Sequence, residues 1–244
     1  MGEVTVAKRP VQRLRDLVRC AHPKQAAVFA ATMGILALFA DRPANEALTV
    51  ALAVLTVQLS LGLSNDLCDE KHDLRAETAG KPLAAGRVDP SSASYWMMVL
   101  ILLSVPLSVY SGLTAGIALL VTLPVGWIHN RWLHRTAFSF VGWTLTFAIY
   151  PAFLSYGGWA GHIHGDAPTW AVTLTSAALG FALHFVTSLG DLVTDNKSGA
   201  RNLPLLAALR LGAPRTLLVT VVVTGAAVAG LVTATASAGL LQGR

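Results

Sequence analysis

The sequence predicts an all-α protein, a polytopic transmembrane helix bundle of about seven spans that forms a single domain over residues 1–244. Hydrophobic residues make up 54 % of the chain and charged residues only 13 %, against roughly 25 % charged in a typical soluble domain. So few charges cannot cover the surface of a soluble domain, and a disordered chain needs the opposite balance. Seven apolar stretches, and the one-sided distribution of basic residues between them, complete the prediction.

The apolar stretches approach the roughly 20 residues that a helix needs to cross the hydrocarbon core of a bilayer. They run over 25–40, 46–64, 94–110, 112–128, 137–156, 167–187 and 216–236. The first, third and fourth are short and need flanking residues to span. Two further segments, 11–20 and 203–213, are amphipathic or interrupted by a charge. We expect short helices there, lying at the membrane surface around a central cavity.

The basic residues predict the orientation of the bundle. Sixteen of the 18 Lys and Arg residues lie in the N-terminal segment and in the loops after spans two, four and six. All these segments share one side of a seven-span bundle, and the positive-inside rule makes that side cytoplasmic. Residues 1–24 are therefore expected to form a cytoplasmic amphipathic segment of a multi-pass cell-membrane protein. The Arg-, Ala-, Val- and Gly-rich composition is typical of a high-GC bacterial source.

Two further classes are excluded by the same features. The formal charge of +5 does not indicate nucleic-acid binding, because the basic residues are divided among loops rather than gathered in one patch. Cys20 and Cys68 form no CxxC motif, so they imply neither a zinc site nor a disulfide framework.

Acidic residues gather at the cytoplasmic ends of two spans. Asp66, Asp69 and Asp73 are spaced i, i+3, i+7, which puts them on one face of a helix that continues out of span two. Asp191 and Asp195 are spaced i, i+4 at the end of span six, which gives a second face of this kind. The sequence therefore predicts two carboxylate clusters on the same side of the membrane.

Like charges at this spacing destabilise a helix by roughly a few tenths of a kcal/mol, so a counter-charge is expected. Mg²⁺ supplies one, because it prefers carboxylate oxygens and keeps positions for water and phosphate oxygens. Facing clusters thus predict a Mg²⁺–diphosphate site in which loop cations neutralise the remaining phosphate charge. The available cations are Lys71, Arg75, Lys81, Arg87, Lys197 and Arg201. The alternative is that the carboxylates are solvated loop acids balancing the basic loops.

Both clusters carry a resemblance to a known family. The run NDLCDEKHD at 65–73, followed by KPLAAGR at 81–87, resembles the first signature of the UbiA superfamily of intramembrane prenyltransferases. The run DLVTD at 191–195, followed by Gly199 and the pair Leu-Pro at 203–204, is similar to the second. The resemblance extends over residues 20–236, and the two motifs follow spans two and six as in that superfamily.

The resemblance implies an all-helical fold with a cavity opening into the bilayer. It also implies Mg²⁺-dependent transfer of a prenyl group from a prenyl diphosphate to an aromatic or lipid-like acceptor, with diphosphate leaving and the acceptor attacking a carbocation-like prenyl group. Metal and catalytic roles are expected for Asp66, Asp69, Asp73, Asp191 and Asp195. Substrate-binding roles are expected for Asn65, Lys81, Arg87, Arg135, Lys197 and Arg201.

Several residues depart from the family pattern or allow two interpretations. Members commonly have nine spans, Ser188 stands where many carry another Asp, and His134 stands where many carry a Lys. His184 shares a face of span six with Ser188 and is either a substrate contact or base, or a hydrogen-bonded histidine inside the bundle. Tyr150 either lines the cavity, where its ring face would stabilise a cation, or anchors its helix at the membrane interface.

Two other functions remain open. A terpene cyclase on the same scaffold would use a prenyl diphosphate without an acceptor and quench the cation internally or with water. A transporter or a non-catalytic membrane subunit would also carry acidic residues within the membrane. Against the transporter, the aspartates lie at the cytoplasmic rim and no inverted repeat is evident.

Overall fold

The computed structural model of the protein describes residues 10–75, 80–157 and 165–237. Regular secondary structure in these ranges is helical, without a strand. We number the α-helices in chain order as α1 Pro10–Cys20, α2 Pro23–Phe39, α3 Ala44–Arg75, α4 Pro90–Tyr110, α5 Leu113–Ile128, α6 Phe140–Ser155, α7 Trp170–Ser188, α8 Leu192–Lys197, α9 Leu203–Leu211 and α10 Ala213–Ser237. A π-helix, His129–Leu133, continues α5, and a 3₁₀ turn, Leu189–Asp191, joins α7 to α8.

Each of the seven predicted spans coincides with one long helix, α2 to α7 or α10. Five helices of the described part are long and apolar enough to cross a bilayer: α3, α4, α10 and the composite helices 113–133 and 170–197. The apolar helices α2 and α6 have only 17 and 16 residues. At 1.5 Å per residue they are about 25 Å long, slightly less than the hydrocarbon core. The all-α membrane-bundle fold is confirmed, whereas the number of spans stays a prediction.

The two predicted surface segments are helical. α1 covers the predicted segment 11–20, and α9 covers most of the segment 203–213. Val11, Leu14 and Val18 form an exposed apolar face on α1, as expected for a helix lying on a membrane. The opposite face is buried against the bundle. Residues 1–9 of the predicted N-terminal segment lie outside the described residues.

Consecutive long helices pack against one another from α2 to α7, and α10 packs against α7. The larger apolar core joins α2, α3, α5 and α6, with Val54, Leu119 and Phe153 fully buried. A second core joins α1, α3 and the loop before α4 through Cys20, Leu63 and Leu83. This second core lies at the end of the bundle that carries both aspartate motifs, which we call the motif end.

Glycines allow close backbone approach at the motif end. A Cβ atom on Gly62 would overlap the backbone carbonyl of Ala21, and one on Gly142 would lie 2.6 Å from the Cβ of His129. Small residues serve the same purpose in many membrane helix contacts, where packing drives association. The turn between α1 and α2 is thereby held against α3, and the π-helix is held against α6.

Candidate active site

The first aspartate motif lies on α3, as the spacing predicts. The helix runs to Arg75, so Asp66, Asp69 and Asp73 occupy one continuous helical face. Asp66 is only 2 % exposed, whereas Asp69 and Asp73 are half-buried. A buried carboxylate needs hydrogen-bonding partners, because transfer of an unpaired charge from water is costly.

Two basic groups meet Asp66. The Nε2 atom of His22 donates to Asp66 Oδ1 at 2.9 Å, and Lys81 Nζ donates to the same oxygen at 2.7 Å. Lys81 Nζ also lies 3.7 Å from Asp73 Oδ2. Burial acts to lower the pKa of Lys81, but the adjacent Asp66 carboxylate, with Asp73 and Asp69, raises it above the ordinary value. Lys81 is therefore a charged ammonium within the motif.

Asp69 is held from α3 itself and from the segment after α5. Asn65 Nδ2 donates to Asp69 Oδ2 at 2.8 Å, and His134 Nε2 donates to Asp69 Oδ1 at 3.0 Å. The other ring nitrogen of His134 lies 3.3 Å from the carbonyl oxygen of His129. Both ring nitrogens of His134 thus lie close to oxygen atoms. His134 therefore contacts the motif at the position where many relatives were expected to carry a Lys.

The second motif differs from its prediction. The i, i+4 spacing predicts one continuous helical face, but α7 ends at Ser188, and the 3₁₀ turn places Asp191 before α8. Gly190 lies in this turn, and glycine is a poor helix former. Asp195 lies within α8 and accepts a hydrogen bond from Asn202 Nδ2 at 2.6 Å. The Oδ1 atom of Asn202 in turn accepts from the backbone N–H of Leu205 at 2.9 Å, which caps α9.

Arg135 connects the two motifs. Its Nη2 donates to His72 Nε2 on α3 at 2.8 Å and lies 3.4 Å from the backbone oxygen of Ser198, just after α8. The backbone N–H of Arg201 donates to the carbonyl oxygen of Arg135 at 2.9 Å. The segment after the π-helix therefore lies between the first motif and the second, and both motifs border one region of the motif end.

The remaining predicted cations lie at different distances from the aspartates. Arg87 does not enter the first motif, because its Nε atom lies 3.4 Å from Asp16 Oδ2 on α1. Its predicted role in binding the diphosphate stays a prediction. Lys197 and Arg201 are exposed, as is Asp191. These three side chains stand at the rim of the region that the motifs enclose.

His184 is buried between helices. Ser139 Oγ donates to His184 Nε2 at 2.9 Å and accepts from the backbone N–H of Leu203 at 3.0 Å. The His184 side chain is thus tied to the start of α6 and the start of α9. This geometry matches the interpretation of a hydrogen-bonded histidine inside the bundle.

A small cavity of about 170 Å³ adjoins the first motif. We call it the polar cavity. Its wall includes the side chains of His22, Gln25, Gln58, Asn65, His129 and Asn130. Apart from its imidazoles, no titratable side chain contributes to this wall within the described residues. Asn65 belongs to both the motif and the wall, so the cavity lies directly beside the aspartates.

A larger apolar groove of about 790 Å³ continues from the polar cavity. It lies among α2, α6, α7 and α10. The two spaces share Gln25, Phe29, Trp143 and Phe147. The ring of Phe29 lies 6.1 Å from Trp143 and 5.6 Å from Phe147, between centroids. Aromatic rings therefore mark the junction of the two spaces.

Tyr150 lines this groove close to the aromatic junction. Its ring centroid is 5.7 Å from that of Phe147. Its hydroxyl oxygen accepts from Gln58 Nε2 at 2.7 Å. Tyr150 is only 5 % exposed, which agrees with the cavity-lining interpretation rather than with an interfacial anchor.

The carboxylates suit a metal ion that is only partly bound by protein. No three His, Cys, Asp or Glu side chains in the described ranges form a ready metal cage. Mg²⁺ does not need one, since it commonly uses one or two carboxylates and completes its octahedron with waters and substrate phosphates. Oxygen donors from Asp66, Asp69, Asp73, Asp191 and Asp195 around one region fit that coordination chemistry.

Sequence reasoning missed several residues that build this site. His22 contacts Asp66 of the first motif, and Asn202 contacts Asp195 of the second. Phe29 and Trp143 line the junction between the polar cavity and the apolar groove. Asn202 had a detectable signal, because an Asn followed by Leu-Pro is typical of a helix N-cap. The other three carry no local signal, since their roles depend on which distant segments pack together.

Comparison with known proteins gives a family for this arrangement. The sequence profile described as the UbiA prenyltransferase family matches residues 26–242. No curated protein matches the chain.

Similar solved structures share the fold at low identity. A UbiA homolog from Archaeoglobus fulgidus bound to GPP and Mg²⁺ has a TM-score of 0.71 and 16 % identity, over 91 % of this chain and 78 % of that chain. The same homolog bound to DMAPP and Mg²⁺ has a TM-score of 0.68 and 17 % identity, over 88 % and 76 %. A structure of digeranylgeranylglyceryl phosphate synthase has a TM-score of 0.62 and 19 % identity, over 86 % and 76 %.

Proposed function

Because the chain belongs to the UbiA prenyltransferase family, we propose that it transfers the prenyl group of a prenyl diphosphate to an acceptor within the membrane. One observation carries this proposal: the first aspartate motif, which Arg135 joins to the second, adjoins a polar cavity that shares part of its wall with an apolar groove. The similar structures from Archaeoglobus fulgidus contain GPP or DMAPP with Mg²⁺. A prenyl diphosphate has the matching form, with a charged head and an apolar tail.

The diphosphate is expected between the motifs, where Asp66, Asp69, Asp73, Asp191 and Asp195 would hold Mg²⁺. When bound, Mg²⁺ neutralises the negative charge that grows on the leaving diphosphate as its bond to the prenyl carbon breaks. Asp66, Asp69 and Asp195 would also orient the head group, since hydrogen bonds from other side chains set their positions.

Basic side chains of this chain complete the charge balance. Lys81 and Arg135 lie within the enclosed region, and Lys197 and Arg201 stand at its rim. Lys81 exchanges a carboxylate oxygen of Asp66 for a phosphate oxygen when the diphosphate arrives. Charge-assisted hydrogen bonds of this kind are shorter and stronger than neutral ones.

The apolar groove is suited to the prenyl tail, and the aromatic junction is suited to its reacting end. The faces of Phe29, Trp143 and Phe147 carry negative charge density that stabilises a nearby cation. The surrounding apolar walls keep water from a carbocation-like prenyl group before the acceptor attacks it.

The polar cavity is suited to the acceptor. The amide nitrogens of Gln58, Asn65 and Asn130 already donate within the protein, to Tyr150, to Asp69 and to a backbone carbonyl, respectively. Their carbonyl oxygens remain for a ligand that donates. The absence of Lys, Arg, Asp and Glu from this wall, among the described residues, favours an uncharged head group with an O–H or N–H donor over a phosphate or carboxylate.

The function is tested with purified protein in nanodiscs, radiolabelled prenyl diphosphates, and acceptors that are neutral, carboxylated or phosphorylated. We expect Mg²⁺-dependent prenylation of a neutral acceptor, and loss of that product when the metal is chelated. Asp69→Ala and Asp191→Ala should lack activity. Glu70→Gln, one residue away on α3, should retain it. Full activity in both aspartate variants would contradict the mechanism.

A reaction without acceptor separates the two chemistries. The terpene-cyclase alternative predicts hydrocarbon or terpene-alcohol products from prenyl diphosphate alone, because internal loss of a proton or attack by water quenches the cation. Mass spectrometry of products with and without acceptor therefore decides between transferase and cyclase. Binding of prenyl diphosphate with neither kind of product would indicate a non-catalytic relative.

A further inference from the structure

Asp16 is a buried acid on a helix whose neighbouring charges are exposed. It is 1 % exposed, while Arg13, Arg15 and Arg19 on α1 are all exposed. Its Oδ2 atom lies 3.4 Å from Arg87 Nε, and Gln12 Nε2 donates to it at 3.5 Å. The Oδ1 atom is buried and has no hydrogen-bond partner among the described residues. Because a buried carboxylate is costly unless paired, Arg87 is required to keep Asp16 in place.

Arg87 closes the loop that begins with Lys81. The backbone N–H of Arg87 donates to the carbonyl oxygen of Pro82 at 2.9 Å, and that of Ala85 donates to the carbonyl oxygen of Lys81 at 3.1 Å. Gly86 adopts a positive φ of 64°, which completes the turn. The loop is therefore internally bonded, and a displacement of Arg87 moves Lys81 with it.

Apolar packing fixes this loop on α1. Leu83 and Val88 pack with Cys20 and Ala21 in the second core. The loop therefore contacts α1 through buried side chains as well as through the Asp16–Arg87 pair. A shift of α1 along the surface would carry the loop with it.

The other end of the loop contacts the first motif. Lys81 Nζ lies 2.7 Å from Asp66 and 3.7 Å from Asp73. His22, two residues beyond α1, donates to Asp66 as well. α1 thus reaches Asp66 in two ways, through His22 and through the Asp16–Arg87–Lys81 loop.

We propose that Asp16 is a positioning residue that holds the Lys81 ammonium at the diphosphate site by anchoring Arg87 to the surface helix α1. This inference rests on the proposed function for its effect on substrate. Arg87 is accordingly assigned to positioning rather than to direct contact with diphosphate. The surface helix α1 then helps to position an active-site residue, in addition to anchoring the protein at the membrane.

The test measures Lys81 directly and then measures turnover. Limiting acetylation by an activated ester, followed by peptide mass spectrometry, gives the modification of Lys81 relative to the exposed Lys71. Asp16→Asn keeps the side-chain volume and should raise the Lys81:Lys71 ratio severalfold. In the same variant kcat/KM for prenyl diphosphate should fall by about tenfold, mainly through KM, because a charge-assisted contact to substrate is misplaced.

A double-mutant cycle and a matched control make the assignment specific. Arg87→Gln should reproduce Asp16→Asn, and the double variant should be no worse than either single one, because both act through one contact. Arg15→Gln, an exposed neighbour on α1, should leave ratio and kinetics unchanged. An unchanged Lys81:Lys71 ratio in Asp16→Asn would overturn the proposal, and so would a wild-type KM. Because acetylation needs no turnover, absence of prenyl transfer by the wild type would refute the proposed function alone.

Discussion

Asn202 has two roles, the cap of α9 and a hydrogen bond to Asp195, and suitable substitutions can separate them. Its Nδ2 donates to Asp195 Oδ2 at 2.6 Å, and its Oδ1 accepts from the backbone N–H of Leu205 at 2.9 Å. Asn202→Ser retains an N-cap oxygen for α9, but its short side chain cannot reach Asp195. Asn202→Ala removes both interactions. The pair of variants therefore distinguishes orientation of the second motif from stability of α9.

The magnitudes follow from these contacts. Loss of the N-cap in Asn202→Ala costs about 1 kcal/mol, which lowers Tm by about 2–4 °C in a protein of this size. Asn202→Ser keeps most of that stability, since Asp195 is half-buried and water replaces the amide. The hydrogen bond from Asn202 contributes about 1–2 kcal/mol to holding the Asp195 carboxylate in its orientation. Loss of that energy from the transition state converts to a decrease in kcat/KM of about 5- to 30-fold.

The assay combines thermal unfolding in detergent with Mg²⁺-dependent turnover of a labelled prenyl diphosphate. Both variants should lose activity to a similar extent, and only Asn202→Ala should lose the additional stability. Asn196→Ser, an exposed asparagine one residue from Asp195 on α8, serves as the control and should match the wild type in both measurements. Wild-type kcat/KM in Asn202→Ser would refute the argument that this amide orients Asp195.

The two native cysteines test the orientation of the bundle. A membrane-impermeant maleimide at pH 7.5 should label the exposed Cys68 in inverted vesicles and not in intact cells. Labelling of Cys68 in intact cells would contradict the cytoplasmic assignment of the motif end. Cys20 should stay unlabelled until the protein is denatured, because burial, and next the nearby Asp66, raise its pKa to about 11 and suppress the reactive thiolate. Ser139→Ala should lower the free energy of unfolding by about 1–3 kcal/mol, since the buried His184 ring and the partly buried backbone N–H of Leu203 both lose a hydrogen bond. An unchanged Tm would contradict that role of Ser139.

Helix positions were predictable because apolar length is a local property of the chain. The stretches 167–187 and 216–236 correspond to α7 and α10 within a few residues at each end. The π-helix after α5 and the 3₁₀ turn after α7 were not predictable in this way. They depend on local interruptions such as Gly190 and on the packing of Gly142 against the π-helix.

The aspartates were predictable and most of their partners were not, for the same physical reason. Spacing along one helix is written in the sequence, so Asp66, Asp69 and Asp73 could be placed on one face. Their partners come from distant segments: His22 is 44 residues from Asp66, and His134 is 65 residues from Asp69. Only packing of α1 and the π-helix against α3 brings these groups together.

The source of the counter-charge is where sequence reasoning and structure differ most. Clustered carboxylates led to the expectation that a metal ion balances them, yet Lys81, His22 and His134 already contact Asp66 and Asp69. A buried carboxylate needs hydrogen-bonding partners, so side chains of the protein occupy its oxygens before substrate binds. Under the proposed function, binding of Mg²⁺ and diphosphate would be an exchange of partners, in which Lys81 moves from a carboxylate oxygen to a phosphate oxygen. That exchange requires Lys81 to sit on a loop anchored from outside the motif, which is the part that Asp16 and Arg87 are proposed to play.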